Sequence, residues 1–136
     1  MRNLLELGEQ DIILLRSGYS TLSIDEISNL PVVTSIDAAL KHRPDAVIVA
    51  TPTALHMDVA IPAALAGCHI FLEKPVAEDL RRVNELRAAL QKGGGKAQVG
   101  FQFRFHPGLR QVKTWLESGS AGKTVAARAQ WGEYLP

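Results

Sequence analysis

The sequence predicts an α/β domain built on a mostly parallel sheet with helices on both faces. Short continuous apolar runs at 11–16, 45–50 and 69–72 are typical of strands that are buried on both sides. Stretches of helical length and pattern separate these runs. Strands that alternate with helices in this way form parallel sheets.

The first elements predict two strands and one helix. The run at 11–16 is a strand that ends at the turn-forming pair Ser17-Gly18. A shorter strand at 31–34 leads to a helix over 36–42, which Ser35 is expected to cap with its hydroxyl. The order is therefore strand, strand, helix.

The middle of the chain repeats this pattern. After the strand at 45–50, Thr53 is expected to cap an Ala-rich helix that Pro62 kinks and Gly67 ends as a left-handed C′ residue. The next strand covers 69–72.

The pattern continues beyond residue 78. Leu80, Val83, Leu86 and Leu90 give one apolar face to a helix over 78–91, which ends at the loop Gly93-Gly94-Gly95. A strand at 97–101 and a helix at 107–117 follow. The looser alternation from Lys123 to Leu135 predicts an antiparallel strand, so we expect one α/β unit at 1–122 and the first strand of an incomplete α+β domain at 123–136.

Composition excludes several classes of protein. The 136 residues are 46% hydrophobic and 21% charged, with a net charge of +1, which is ordinary for a globular domain. No basic stretch points to nucleic acid and no apolar run reaches the roughly 20 residues of a membrane span. Cys68 and the His residues lack metal-ligand spacing, so we expect no metal, and we expect a cytoplasmic protein with Cys68 in the core.

The strongest functional signal is Glu73-Lys74-Pro75 directly after the strand at 69–72. Thr51-Pro52 follows the preceding strand in the same way. Because ligands of open parallel sheets bind outside the carboxyl ends of the strands, these residues are expected to share one cleft.

These residues resemble a known family. The segment 69–75, together with Thr51-Pro52, His56 and the later Gly100-Phe101 and 104–107, is similar to the glucose–fructose oxidoreductase and inositol dehydrogenase (Gfo/Idh/MocA) family. The resemblance implies a Rossmann-like, NAD(P)-dependent oxidoreductase. Such an enzyme transfers hydride between nicotinamide and a hydroxyl of a sugar, amino sugar or cyclitol.

The resemblance also implies roles for individual residues. Lys74 is the catalytic candidate, because an ammonium can orient a substrate hydroxyl and stabilise a developing alkoxide. Pro75, often cis in the family, aims Lys74, and Glu73 holds the lysine or the ribose. Further cofactor-binding candidates are Thr51, Pro52 and His56, although His56 also fits a structural role near a helix start; Gln102 and Arg104 are implied on the substrate side.

Coenzyme preference is predicted from Arg16-Ser17. An acid at the end of the second strand binds the ribose of NAD, whereas an Arg accepts the additional phosphate of NADP. The chain has Arg16 there, which slightly favours NADP, although Arg16 also fits an ordinary surface position.

Two features that the resemblance implies are not found in the sequence. The first is the opening strand with its GxGxxG phosphate-binding loop, and the second is a catalytic His of the substrate domain. Without the central strand, its two neighbours are expected to pair with each other, to borrow a strand, or to remain loosely folded.

Two functions therefore stay open. The first is part of an NAD(P)-dependent oxidoreductase, with weak cofactor binding and little or no activity of its own. The second is a non-catalytic module that pairs with a partner or with a second copy through exposed strand edges.

Overall fold

A computed structural model describes residues 2–16, 30–130 and 132 of the chain. It contains two compact units, 1–100 and 101–136. The first unit holds both sheets and four of the helices, and the second unit contains one helix and the segments beside it. Ser17, predicted to bind cofactor, lies outside the described residues.

Five short parallel strands confirm the predicted architecture of the first unit. Strands β1 (Leu14–Leu15) and β2 (Val32–Val33) form one parallel pair. Strands β3 (Ala46–Val49), β4 (His69–Leu72) and β5 (Ala97–Val99) form a parallel sheet in that order, with Val47 opposite Ile70 and Ile70 opposite Ala97. Each strand lies inside the range that its apolar run predicts.

The two sheets are separate within the described residues. β1 pairs only with β2, and β3 pairs only with β4. A doubly wound sheet has the strand order 3-2-1-4-5-6. With β1 to β5 as its strands two to six, β1 and β3 flank the position of the first strand, which no described strand occupies. One of the outcomes expected for the two strands beside this position was that they pair with each other. Within the described residues, β1 and β3 do not pair.

The helices begin and end close to the predicted positions. They are α1 (Arg2–Glu6), α2 (Ile36–Leu40), α3 (His56–Leu65) and α4 (Leu80–Gly93). Ser35 caps α2 as predicted, because its hydroxyl accepts a hydrogen bond of 3.2 Å from the Ala38 N–H. Gly67, with a φ of 89°, is the left-handed residue that ends α3.

The predicted N-cap at Thr53 is wrong. The chain enters α3 through a 3-10 turn at Thr53–Leu55, so the capping position falls on Leu55. An apolar side chain has no oxygen to accept a bond from the first helical N–H groups, and this helix start therefore depends on its surroundings.

The core lies between one face of the three-stranded sheet and two helices. Val49, Ile70 and Leu72 are at most 2% exposed, and they pack with small α3 residues and with Leu86 and Ala89 of α4. Ala60, Ala63 and Ala64 of α3 are fully buried, which lets this helix lie close to the strands. The opposite face carries Ile48 and Phe71, which remain 50% and 37% exposed. The sequence predicted helices on both faces of the sheet. In the structure, α3 and α4 cover the face that carries Val49, Ile70 and Leu72.

Two of the three consecutive glycines have a packing role. A Cβ on Gly93 would lie 1.9 Å from the carbonyl oxygen of Ala64, and one on Gly95 would lie 2.2 Å from that of Cys68. The end of α4 thus contacts the end of α3 backbone to backbone. The sequence interpretation of this triplet as a loop alone was incomplete.

Cys68 is a core residue, as predicted. Its side chain is 3% exposed, and burial raises the pKa of the thiol. Since the thiolate is the reactive form, this environment makes Cys68 a poor nucleophile.

The second unit contains a 3-10 turn at Gln102–Phe105 and the helix α5 (Pro107–Glu117), which has the predicted bounds. Its apolar side chains Val112 and Trp115 remain 44% and 51% exposed. The strand predicted from Lys123 is not formed over residues 123–130, and Val125 is 94% exposed. An alternating segment needs a partner strand to become a β-strand, and none of the described residues pairs with it.

Within the described ranges, every helix is too short or too polar to cross a bilayer.

We expect Gly93→Ala to lower the free energy of unfolding by about 1–3 kcal/mol, because the added methyl group would overlap the Ala64 backbone. Thermal and urea denaturation followed by circular dichroism measure this change. Gly132→Ala is the matched control, since a Cβ at Gly132 has nothing within 4 Å. Equal stability of the two variants would contradict the close helix contact.

Candidate functional site

The carboxyl ends of three strands lie side by side at one edge of the sheet. The Glu73 N–H donates a 3.0 Å hydrogen bond to the Val49 carbonyl, and the Gly100 N–H donates one of 2.8 Å to the Leu72 carbonyl. These bonds continue the pairing just past the last strand residues. They bring the segments after β3 and β4 together, as the sequence predicted, and they align the end of β5 with both.

Lys74 lies at the exit of the central strand of this sheet. Its side chain is exposed, whereas that of Glu73 is partly buried. No ion pair to the Lys74 ammonium is formed by the side chains that the structure describes. The Lys74–Pro75 peptide bond is cis, as the resemblance implied. The ammonium is therefore available to donate hydrogen bonds to a ligand.

Gly100 leaves little space beside Glu73. A Cβ on Gly100 would lie 3.1 Å from Cε1 of Phe71 and 3.3 Å from Oε1 of Glu73. The bare glycine backbone lets the aromatic ring and the carboxylate pack against the end of β5. Gly100 thus belongs to the site, although the sequence analysis used it only for the family resemblance.

Thr51 and Pro52 follow β3 directly, as predicted. The Thr51 hydroxyl oxygen is buried and has no hydrogen-bond partner within the described part of the chain. Buried hydroxyl groups in folded proteins are nearly always paired, so this oxygen indicates that the edge is completed by a further polar group. Thr51 and Lys74 follow neighbouring strands, so this edge carries a hydroxyl without a described partner and an ammonium without a described ion pair, both of which can hydrogen-bond a hydroxyl-bearing ligand.

His56 is buried at the start of α3 and is 1% exposed. Its Nε2 lies 2.8 Å from the Thr51 carbonyl oxygen and its Nδ1 lies 3.3 Å from the Val76 carbonyl oxygen. Both ring nitrogens therefore face the protein's own backbone. The predicted cofactor contact would require this ring to leave these partners, whereas the structural role near a helix start agrees with the observed contacts.

The segment that carries Lys74 is anchored at its far end by the start of α4. The Asp79 carboxylate caps this helix by accepting a 2.9 Å hydrogen bond from the Arg82 N–H. The Arg82 guanidinium also forms a 3.0 Å ion pair with Asp58 of α3. Asp79 was missed in the sequence analysis, although an Asp directly before an amphipathic run is a recognisable capping signal.

The other predicted site residues in the described ranges follow β1 or belong to the second unit. Arg16 follows β1, where its N–H donates a 2.9 Å bond to the Val33 carbonyl, so it lies at the end of the two-stranded sheet. Gln102 and Arg104 are exposed in the 3-10 turn of the second unit. Arg104 lines an open groove of about 380 Å³ there, together with Phe101, Phe103, Leu109, Arg110 and Lys113.

Among the described residues, no group of three or more His, Cys, Asp or Glu side chains could hold a metal ion.

Residues 11–101 match the Gfo/Idh/MocA family model, which describes an oxidoreductase family with an NAD-binding Rossmann fold. Two relatives come from Bacillus subtilis (strain 168). The uncharacterized oxidoreductase YrbE is 42% identical over 92 residues, which cover 66% of this chain and 27% of that protein. The scyllo-inositol 2-dehydrogenase (NAD(+)) is 38% identical over 81 residues, which cover 60% of this chain and 24% of that protein.

A solved structure shows the same fold. The WlbA dehydrogenase from Bordetella pertussis, in complex with NADH and UDP-GlcNAcA, superposes with a TM-score of 0.72 at 28% identity. The match covers 82% of this chain and 33% of that one. The chain thus spans about a quarter of the two curated relatives and a third of this structure.

We expect Asp79→Ala to lower the free energy of unfolding by about 1 kcal/mol, because α4 would lose its capping oxygen. Asp79→Asn keeps an oxygen at the same position and should stay within a few tenths of a kcal/mol of the unchanged chain. Urea denaturation of both variants checks this difference. Equal losses would show that the carboxylate acts through its charge, and not through the cap.

Proposed function

Because the chain belongs to this family of oxidoreductases with an NAD-binding Rossmann fold, we propose that it forms part of the coenzyme-binding half of an NAD(P)-dependent dehydrogenase. The proposed reaction transfers hydride between nicotinamide and a hydroxyl-bearing carbon of a sugar, amino sugar or cyclitol. The substrate class follows the names of the similar proteins, one of which acts on scyllo-inositol and another of which was crystallised with UDP-GlcNAcA.

The observation that carries the proposal is the position of Lys74. It follows the central strand of the β3–β4–β5 sheet, with Thr51 after one neighbouring strand and Gly100 after the other. This edge is where open parallel sheets bind their ligands. An exposed ammonium there can reach a bound molecule without breaking an ion pair that the structure describes.

The chemistry that we assign to Lys74 is hydrogen bonding to the reacting hydroxyl. Donation from the ammonium orients the oxygen and stabilises the negative charge that develops on it as its proton leaves. Bound NAD(P) supplies the hydride acceptor. We propose that Glu73, which precedes the lysine, holds the lysine or the ribose, and that the proton passes to the base that the family resemblance implies in the substrate domain.

The proposal also covers the preferred coenzyme and the cellular location. Arg16 favours NADP over NAD, and its place after β1 is consistent with a role at the adenosine ribose. A cytoplasmic location belongs to the same proposal, and a single buried Cys68 is compatible with it.

We expect the full chain to bind NADPH or NADH weakly, in the millimolar range, and Lys74→Met to weaken this binding about tenfold because a charged hydrogen bond is lost. The fluorescence of the reduced nicotinamide measures binding. Lys92→Met is the matched control, since Lys92 is an exposed lysine of α4. No saturable change for the unchanged chain would refute coenzyme binding by this chain, and equal effects of both variants would refute the role of Lys74.

A second candidate function is a non-catalytic module that pairs through strand edges. The observation that favours it is that β1 and β3 each have a strand partner on one side only within the described residues. Unpaired edges of parallel strands attract a further strand, from a partner or a second copy.

For this second function we expect the chain to form dimers or larger assemblies at micromolar concentration. Multi-angle light scattering at increasing protein concentration measures the mass. A strict monomer across the range would contradict pairing between copies and leave coenzyme binding as the proposed function.

A further inference from the structure

His56 is the one residue among the described polar and charged residues that is buried in the core. A buried polar ring needs hydrogen bonds to offset the loss of water, and both of its nitrogens face carbonyl oxygens. Its two partners belong to different segments. Thr51 follows β3, whereas Val76 follows β4 and the Lys74–Pro75 bond.

From these contacts we infer that His56 is a positioning residue, whose ring holds together the two segments that carry the candidate site. The last bond of the β3–β4 pairing joins the Glu73 N–H to the Val49 carbonyl. Beyond it, the His56 ring contacts the carbonyl of Thr51 in one segment and that of Val76 in the other. Lys74 lies between Glu73 and Val76, so the inference rests on the proposed function of that lysine.

The two contacts differ in strength. Carbonyl oxygens only accept hydrogen bonds, and a neutral imidazole carries one N–H. The 2.8 Å contact of Nε2 with Thr51 is the shorter one, so we assign the N–H of the ring to Nε2. The 3.3 Å contact of Nδ1 with Val76 is the longer and weaker one.

The surroundings of His56 favour a positioning role over direct contact with a ligand. Only 1% of its surface is exposed. Met57 and Ala60 on the same helix are also buried, so α3 itself holds His56 in the core. A ring fixed in this way sets the position of both segments relative to α3.

Three substitutions separate the two contacts. His56→Gln places an amide N–H near the position of Nε2 and keeps donation to Thr51, whereas His56→Asn places one near Nδ1, beside the Val76 carbonyl, and loses donation to Thr51. His56→Phe keeps a ring of similar size and removes both nitrogens. Ile70→Val is the matched control for loss of core stability, because Ile70 is buried in the same core and forms neither contact.

The experiment is amide hydrogen exchange of the full chain, followed by mass spectrometry and without coenzyme. We expect His56→Phe to speed exchange about tenfold in the peptides that cover 51–55 and 74–79, beyond the uniform change that Ile70→Val causes. His56→Asn should speed exchange mainly in 51–55. His56→Gln should stay closest to the unchanged chain, because it keeps the shorter bond.

Two outcomes overturn the inference. One is that His56→Phe changes exchange in these segments no more than Ile70→Val does, and the other is that His56→Gln and His56→Asn behave alike. Because exchange needs no bound nucleotide, the result is independent of the proposed function. A chain that fails to bind NADPH but shows the segment-specific pattern would refute coenzyme binding and retain the positioning role of His56.

Discussion

The parallel pairing of β3, β4 and β5 is the constraint on which the rest of this structure depends. Residues as far apart in sequence as Thr51 and Gly100 lie at one edge because the bonds at Val49 and Leu72 align the three strand ends. Parallel strands direct their carboxyl ends to the same side. The hydrogen bonds that form the sheet therefore also bring the residues of the candidate site together at one edge. A different strand order would separate Lys74 from its neighbours.

The packing behind this ladder explains why the edge is well defined. Three fully buried alanines bring α3 close to the strands, and backbone contact at Gly93 and Gly95 brings α4 close to α3. The Asp79 cap and the Arg82 ion pair then fix the start of α4. The segment with Lys74 is thereby held between the end of a buried strand and the start of a packed helix, and a site held at both ends keeps its geometry better than a free loop.

The separation into two small sheets connects the two proposed functions. Both depend on the position between β1 and β3, which the doubly wound order assigns to a central strand. A strand in that position would join the two sheets beside Thr51, and the candidate site would then lie at the edge of one continuous sheet. The two proposed functions are therefore linked, because each involves the position between β1 and β3 that no described strand occupies.

The sequence by itself determined the alternation of strands and helices, the parallel sheet, and the location of Lys74 after a buried strand. These features depend on local apolar periodicity and on a distinctive motif, which neighbouring residues encode. Only the tertiary structure decided that His56 faces two backbone carbonyls, that Gly93 and Gly100 allow close contacts, that Thr53 does not cap α3 and that 123–130 forms no strand. Each of these depends on a partner distant in sequence, or on the lack of one within the described residues, and local patterns carry no information about such partners.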